Sequence, residues 1–166
     1  MKSTAKNILS KRDNLSNEIS KYWNIIYVEN VVNRNYKRNY DLKALYETIL
    51  DLAEQRSLTK FKALCINMGI FKFSEVPMDN IQLDIFRLAE MKEIKVKLGK
   101  IRTINPKLKA AKGKKALNKT EVLTSNWIKA RIKDIDLKIT EIEKKISDFN
   151  ESHELDEEKA PMSLAA

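Results

Sequence analysis

The chain has 166 residues, 43% of them apolar, with a formal net charge of +9, three glycines, three prolines and one cysteine. That length and apolar content suit one ordinary domain with a core of its own and exclude a disordered chain, and the scarcity of chain breakers favours helices over a many-turned sheet. A lone cysteine, Cys65, excludes an internal disulfide framework and reads as a small buried side chain in a reducing compartment.

The opening MKSTAKNILSKRDNLSNEISKYW carries charges every few residues instead of the continuous apolar core of a secretion signal. No run of about 18 apolar residues is present to span a membrane. The expectation is a protein of the cytoplasm, or of a particle assembled there, with no membrane contact.

Residues 4–32 form the first predicted helix, because Ile8, Leu15, Ile19, Tyr22 and Ile26 recur at steps of three and four once Arg12 is allowed at one intervening position. Trp23, Ile25, Val28, Val31 and Val32 widen its apolar face toward the C-terminal half. NRNYKRNY, residues 33–40, breaks the period and is the first turn.

Asp41 is the expected N-cap of a second helix over 41–68, whose face is marked by Leu42, Leu45, Ile49, Leu52, Leu58, Phe61, Leu64 and Met68. Gly69 closes it as a left-handed cap residue. After a connector containing Pro77, Asp79 is placed to cap a third helix over 80–98. Its end is ambiguous: EIKVKL alternates like a half-buried strand and Gly99 with KIRTI offers a hairpin, yet Ile94, Leu98 and Ile101 also fit helical steps. Helix to Gly99 is preferred, since the chain offers no partner strand.

Asn105-Pro106 stops that helix, and a basic connector leads to a last helix over 118–149, capped at Asn118 or Thr120 with Glu121 in capping-box register to Asn118. Leu123, Trp127, Ile132, Ile135, Ile139, Ile142, Ile146 and Phe149 form a nearly heptad seam. The predicted fold class is all-α: residues 1–150 make an elongated antiparallel bundle of about four helices. Two of these are long and coiled-coil-like, free to pair with each other. Residues 151–166 make an acidic tail.

The charge is localised. Between 92 and 120 lie eleven Lys and Arg against Glu93 alone, so the remaining residues sum to about −1. The candidate docking residues for a polyanion or an acidic partner are Lys95, Lys97, Lys100, Arg102, Lys107, Lys109, Lys112, Lys114, Lys115 and Lys119. Lysines at this spacing neutralise phosphates without reading bases. The segment has no aromatic side chain to stack on bases and only one arginine for bidentate recognition.

Other chemistry is thinly represented. His153, the single histidine, sits in the acidic tail, Cys65 has no ligating companions, and three glycines at 69, 99 and 113 leave no phosphate loop. Glu47, Asp51 and Glu54 fall at steps of four and three on the second helix, a spacing that suits a hard metal but more ordinarily marks a solvated face. The two helical runs around Gly69 resemble a helix-turn-helix only loosely, since their connector is about ten residues long rather than three or four. No catalytic residue, metal ligand or cofactor is assigned.

Trp23, Tyr27 and Trp127 are the aromatic residues put forward for a subunit interface, if one thin bundle cannot bury them all. The expected function is a non-enzymatic structural or assembly subunit of a larger complex, such as a phage or virus particle, joining other protein subunits through its helices. The alternative is a nucleic-acid-binding or regulatory protein contacting phosphates through residues 92–119.

Overall fold

The computed structural model describes residues 4–77, 79–109 and 118–153. In chain order these form α1 (Ala5–Glu29), β1 (Val31–Asn33), α2 (Leu42–Asn67), a 3-10 turn (Phe73–Glu75), α3 (Ile81–Gly99), the single turn α4 (Pro106–Lys109), β2 (Lys119–Glu121) and α5 (Ser125–Ser152). The chain is an all-α bundle of four main helices with one minute strand pair. No helix among the described residues is long and apolar enough to cross a membrane.

Local signals explain most of the boundaries. Thr4 caps α1 by accepting the Asn7 amide, and the Asp41 carboxylate caps α2 by accepting the Lys43 and Ala44 amides at 2.9 and 3.2 Å. Gly69 ends α2 at φ 76°, in the left-handed region where a side chain is disfavoured. α3 runs through Gly99: Ile94 and Leu98 are buried while Val96 is exposed, so the helical step decides the face and the strand-like alternation does not.

Several boundaries depart from the sequence reading, and the last helix runs to Ser152, past the predicted 149. α1 stops at Glu29, not 32, because Asn30 turns inward and the β-branched Val31 and Val32 enter a strand. The last helix starts at Ser125 with Thr124 as its cap, accepting from the Trp127 amide at 3.2 Å. Lys119–Glu121 is drawn instead into antiparallel pairing, Val31 opposite Glu121 and Asn33 opposite Lys119. The cap of α3 is Asn80 rather than Asp79.

The main helix contacts are α1 with α2, α3 with α5, and α2 with α3. The two long outer helices are therefore not each other's principal partners; the strand pair links the C-terminal end of α1 to the N-terminal end of α5. Asn30 also bonds the Arg102 carbonyl, bringing the end of α3 to the same place. One end of the bundle thus gathers three helix termini around the strands.

Two apolar clusters fill the interior. The larger joins Leu15, Ile19, Trp23 and Ile26 of α1 to Leu42, Tyr46 and Ile49 of α2, Ile94 and Leu98 of α3, and Ile128, Ile135 and Ile139 of α5. The smaller, Phe61, Cys65 and Leu83, lies where α2 ends and α3 begins. Burial pushes the Cys65 thiol above its ordinary pKa, leaving it a packing group.

Between these clusters along α2 and α3 sits a charged layer. Arg56 Nε donates to Glu90 Oε1 and Oε2 at 2.8 and 3.0 Å, Arg56 Nη2 also reaches Glu90 and Glu93, and Lys60 Nζ meets Glu90 Oε1 at 2.8 Å. Glu90 is 1% exposed. Burial works against the Arg56 charge, but the hydrogen bonds and field of Glu90, then Glu93, outweigh it and hold the guanidinium above its ordinary pKa. Such a layer fixes the register of α2 on α3, because any slide strands a buried charge.

Candidate docking site at the strand end

The strand end is organised by one amide. Asn30, fully buried, has all four of its hydrogen-bonding positions filled: Nδ2 donates to the Arg102 and Leu123 carbonyls at 2.8 and 3.0 Å, and Oδ1 accepts from the Val122 and Leu123 amides at 3.3 and 2.7 Å. These bonds pin the entry and the exit of the basic excursion to the end of α1.

Two charged side chains complete the framework. Arg38 donates from Nε to the Glu29 carbonyl at 2.8 Å and from Nη2 to the Asn30 and Thr120 carbonyls, both at 2.9 Å. A guanidinium there satisfies carbonyls that the terminus of α1 would otherwise leave open. Glu121 reaches the other way: Oε2 accepts the Ile104 amide at 2.6 Å and Oε1 accepts Lys109 Nζ at 3.0 Å.

On this base the sequence-predicted cations divide. Lys95 is paired with Asp136 at 2.6 Å and Lys109 with Glu121, and nearby Lys92 is paired with Glu143 at 2.8 Å. Lys97, Lys100, Arg102, Lys107 and Lys119 have no acidic partner among the described residues. Lys97 is half-buried beside Tyr27, whose hydroxyl donates to the Lys97 carbonyl at 3.1 Å; Lys100, Arg102, Lys107 and Lys119 are exposed. Lys112, Lys114 and Lys115 lie outside the described residues.

Arg34 belongs with these cations, although its sequence position assigned it to a turn. Its amide donates to the Asn118 carbonyl at 3.1 Å, one step beyond the Asn33–Lys119 pair. Arg34, Ile104, Lys109, Lys119, Thr120 and Glu121 together line a cavity of about 360 Å³. The signal was present in NRNYKRNY, which is as basic as parts of the connector; the strand register that brings it to Lys119 was not.

The candidate interface aromatics are largely spent on the chain's own packing. Trp23 is 1% exposed, stacked on Tyr27 at 5.9 Å between ring centres and edge-on to Tyr46, so it offers no surface to a partner. Trp127 meets Tyr46 edge-on at 5.2 Å and is, like Tyr27, only partly exposed. Among the apolar groups that do face outward, Val28 beside a groove along α1 and Met68 at the far end of α2 read from the sequence as parts of apolar helix faces but are exposed, and Phe71, 81% exposed, is given no role by it.

The other chemical readings also receive a place. Glu47 and Asp51 are exposed and Glu54 is paired with Arg87, whose Nη2 approaches at 2.6 Å; among the described residues no group of acids, histidines and cysteines gathers as a metal site. His153 stacks on Phe149 at the end of α5. A helix-turn-helix is not formed, because residues 68–80 separate α2 from α3.

What these features can do together is electrostatic: cations held in fixed positions attract and orient an anion. The chain matches no protein-family model, and no similar curated protein or solved structure is found.

Proposed function

We propose that the protein is a non-enzymatic assembly subunit that docks a polyanionic partner at its strand end and meets protein neighbours through the outward apolar groups elsewhere on the bundle. The observation that carries this reading is the framework of buried Asn30 with the half-buried Arg38 and Glu121. It presents Arg34, Arg102 and Lys119 from an ordered base. A merely solvated connector has no use for a fully satisfied buried amide at its root, whose desolvation cost is offset only by complete bonding.

The distance between the two ends supports a bridging role. α2 has 26 residues, about 39 Å at 1.5 Å each, and it separates the cations from Met68 and Phe71. Opposite surface chemistries at opposite ends suit a subunit that joins unlike neighbours.

Light scattering over a range of concentration, repeated with heparin at low ionic strength, tests the proposal. Retention of heparin that fades with salt, together with a mass that rises with concentration or on mixing, is the expected result. A strict monomer that holds no polyanion at low salt sinks it.

A further inference from the structure

The strand-end cavity has a composition that distinguishes among polyanions. Its single acid, Glu121, is already satisfied: one oxygen takes the Ile104 amide and the other takes Lys109 Nζ. Arg34 and Lys119 remain without an acidic partner among the described residues. Thr120 Oγ1 accepts from Arg38 Nη2 at 3.2 Å, which leaves its own hydroxyl proton to donate. A guanidinium, an ammonium and a hydroxyl therefore line one concave space whose built-in negative charge is spent.

We infer that this cavity is a phosphate-binding pocket and that the partner of the basic end is the phosphodiester backbone of a nucleic acid; the inference rests on the docking reading above. A phosphate presents tetrahedral oxygens to donors arriving from several directions, and the planar fork of arginine matches two of them at once. A planar carboxylate accepts the same arginine fork but holds its two oxygens in one plane, so it engages fewer of the donors that arrive from other directions. No aromatic side chain lines the pocket. The contact is therefore one that positions a backbone and does not stack or read its bases.

Two arms test this on the full chain. In the first, isotopically labelled protein is titrated with pyrophosphate and followed by amide chemical shifts. Saturable shifts centred on Arg34, Ile104 and Lys119 to Glu121, abolished in the Arg34→Ala/Lys119→Ala variant, are expected. No shift at millimolar ligand, or shifts equally large at Lys92 and Lys95, overturns the pocket. Both replaced side chains are exposed, and retained wild-type spectra elsewhere show that the variant folds.

In the second arm, a short random-sequence DNA duplex and polyglutamate are compared at matched ionic strength. Duplex binding tighter by about tenfold or more, and weakened by about tenfold in the double variant, is expected. Equal binding of the two polymers, or duplex affinity unchanged in the variant, overturns the phosphate assignment while the docking reading stands. Binding of neither polymer overturns both.

Discussion

The two ends of the bundle solve the same problem with different chemistry. At the strand end, the C-terminal ends of α1 and α3 and the N-terminal end of α5 are held by hydrogen bonds from Asn30, Arg38 and Glu121. At the other end, the α2–α3 connection closes over Phe61, Cys65 and Leu83 and leaves Met68 and Phe71 outside. Directional bonds fix where charges sit, whereas apolar contact tolerates some sliding. The difference teaches that position matters where the molecule displays cations and area matters where it displays hydrocarbon.

The largest predicted effect comes from the layer that separates the two clusters. Glu90→Ala leaves Arg56 buried without its main partner and is expected to cost about 3–5 kcal/mol, read as the shift in a denaturant midpoint. A loss under about 1 kcal/mol shows that the layer does not hold α2 on α3.

Asn30→Ala tests the strand end next. It strands the Leu123 amide and the Arg102 and Leu123 carbonyls, at about 1–3 kcal/mol for each group that water does not reach. The expected signature is regional: faster hydrogen exchange at Val122, Leu123 and the strand amides, with protection around Phe61 and Leu83 retained. Uniform loss of protection denies that the two ends are distinct.

Phe71→Ser sharpens the comparison from the opposite side. Because Phe71 is so exposed, stability is expected to change by less than about 0.5 kcal/mol while concentration-dependent association weakens. Association unchanged by this replacement removes the far end from the proposed protein contacts.

The last effect, confined to alkaline solution, is a dependence on pH in the shared core. Burial, with a further push from Glu47, raises the Tyr46 phenol from 10.0 to about 12. Between those values the folded state keeps a proton that the unfolded state releases, so stability falls as pH rises. The contribution is complete below pH 10 and lost as pH passes about 12. Phenolate absorbance is expected to show a late tyrosine that titrates together with alkaline unfolding.

Much of the helical frame was legible in the sequence because it rests on local signals. The Asp41 cap, the left-handed Gly69 and the i, i+4 pair Ile94 and Leu98 each act within a turn or two. The strand pair was not legible: three-residue strands carry no periodicity, and Asn118 with Glu121 reads as a capping box until Val31–Asn33 arrives across Lys119–Glu121. Asn30 fell inside the helix predicted to run to 32, since the groups it bonds come from remote segments. Trp23 was a candidate contact residue because a single sequence does not reveal how many helices surround it.

The charge was read correctly in amount but not in distribution. Lys95 and Lys109 belong to the basic run by sequence, yet each faces an acid of the chain itself, while Arg34 lies outside the run and joins its unpaired members. Pairing, unlike density, is a property of the fold.

The most direct test of the central claim, that a fixed subset of cations at the strand end does the docking, is the salt dependence of duplex binding. Each phosphate contact contributes about −0.9 to the slope of log K against log salt. Replacing Lys92 and Lys95 by Ala, both already paired with acids, is predicted to leave that slope nearly unchanged. Replacing Arg34 and Lys119 is predicted to reduce its magnitude by about 1.8. Equal reductions in the two double variants would contradict the account, because the protein would then be binding by net charge and not by the arrangement that Asn30, Arg38 and Glu121 hold in place.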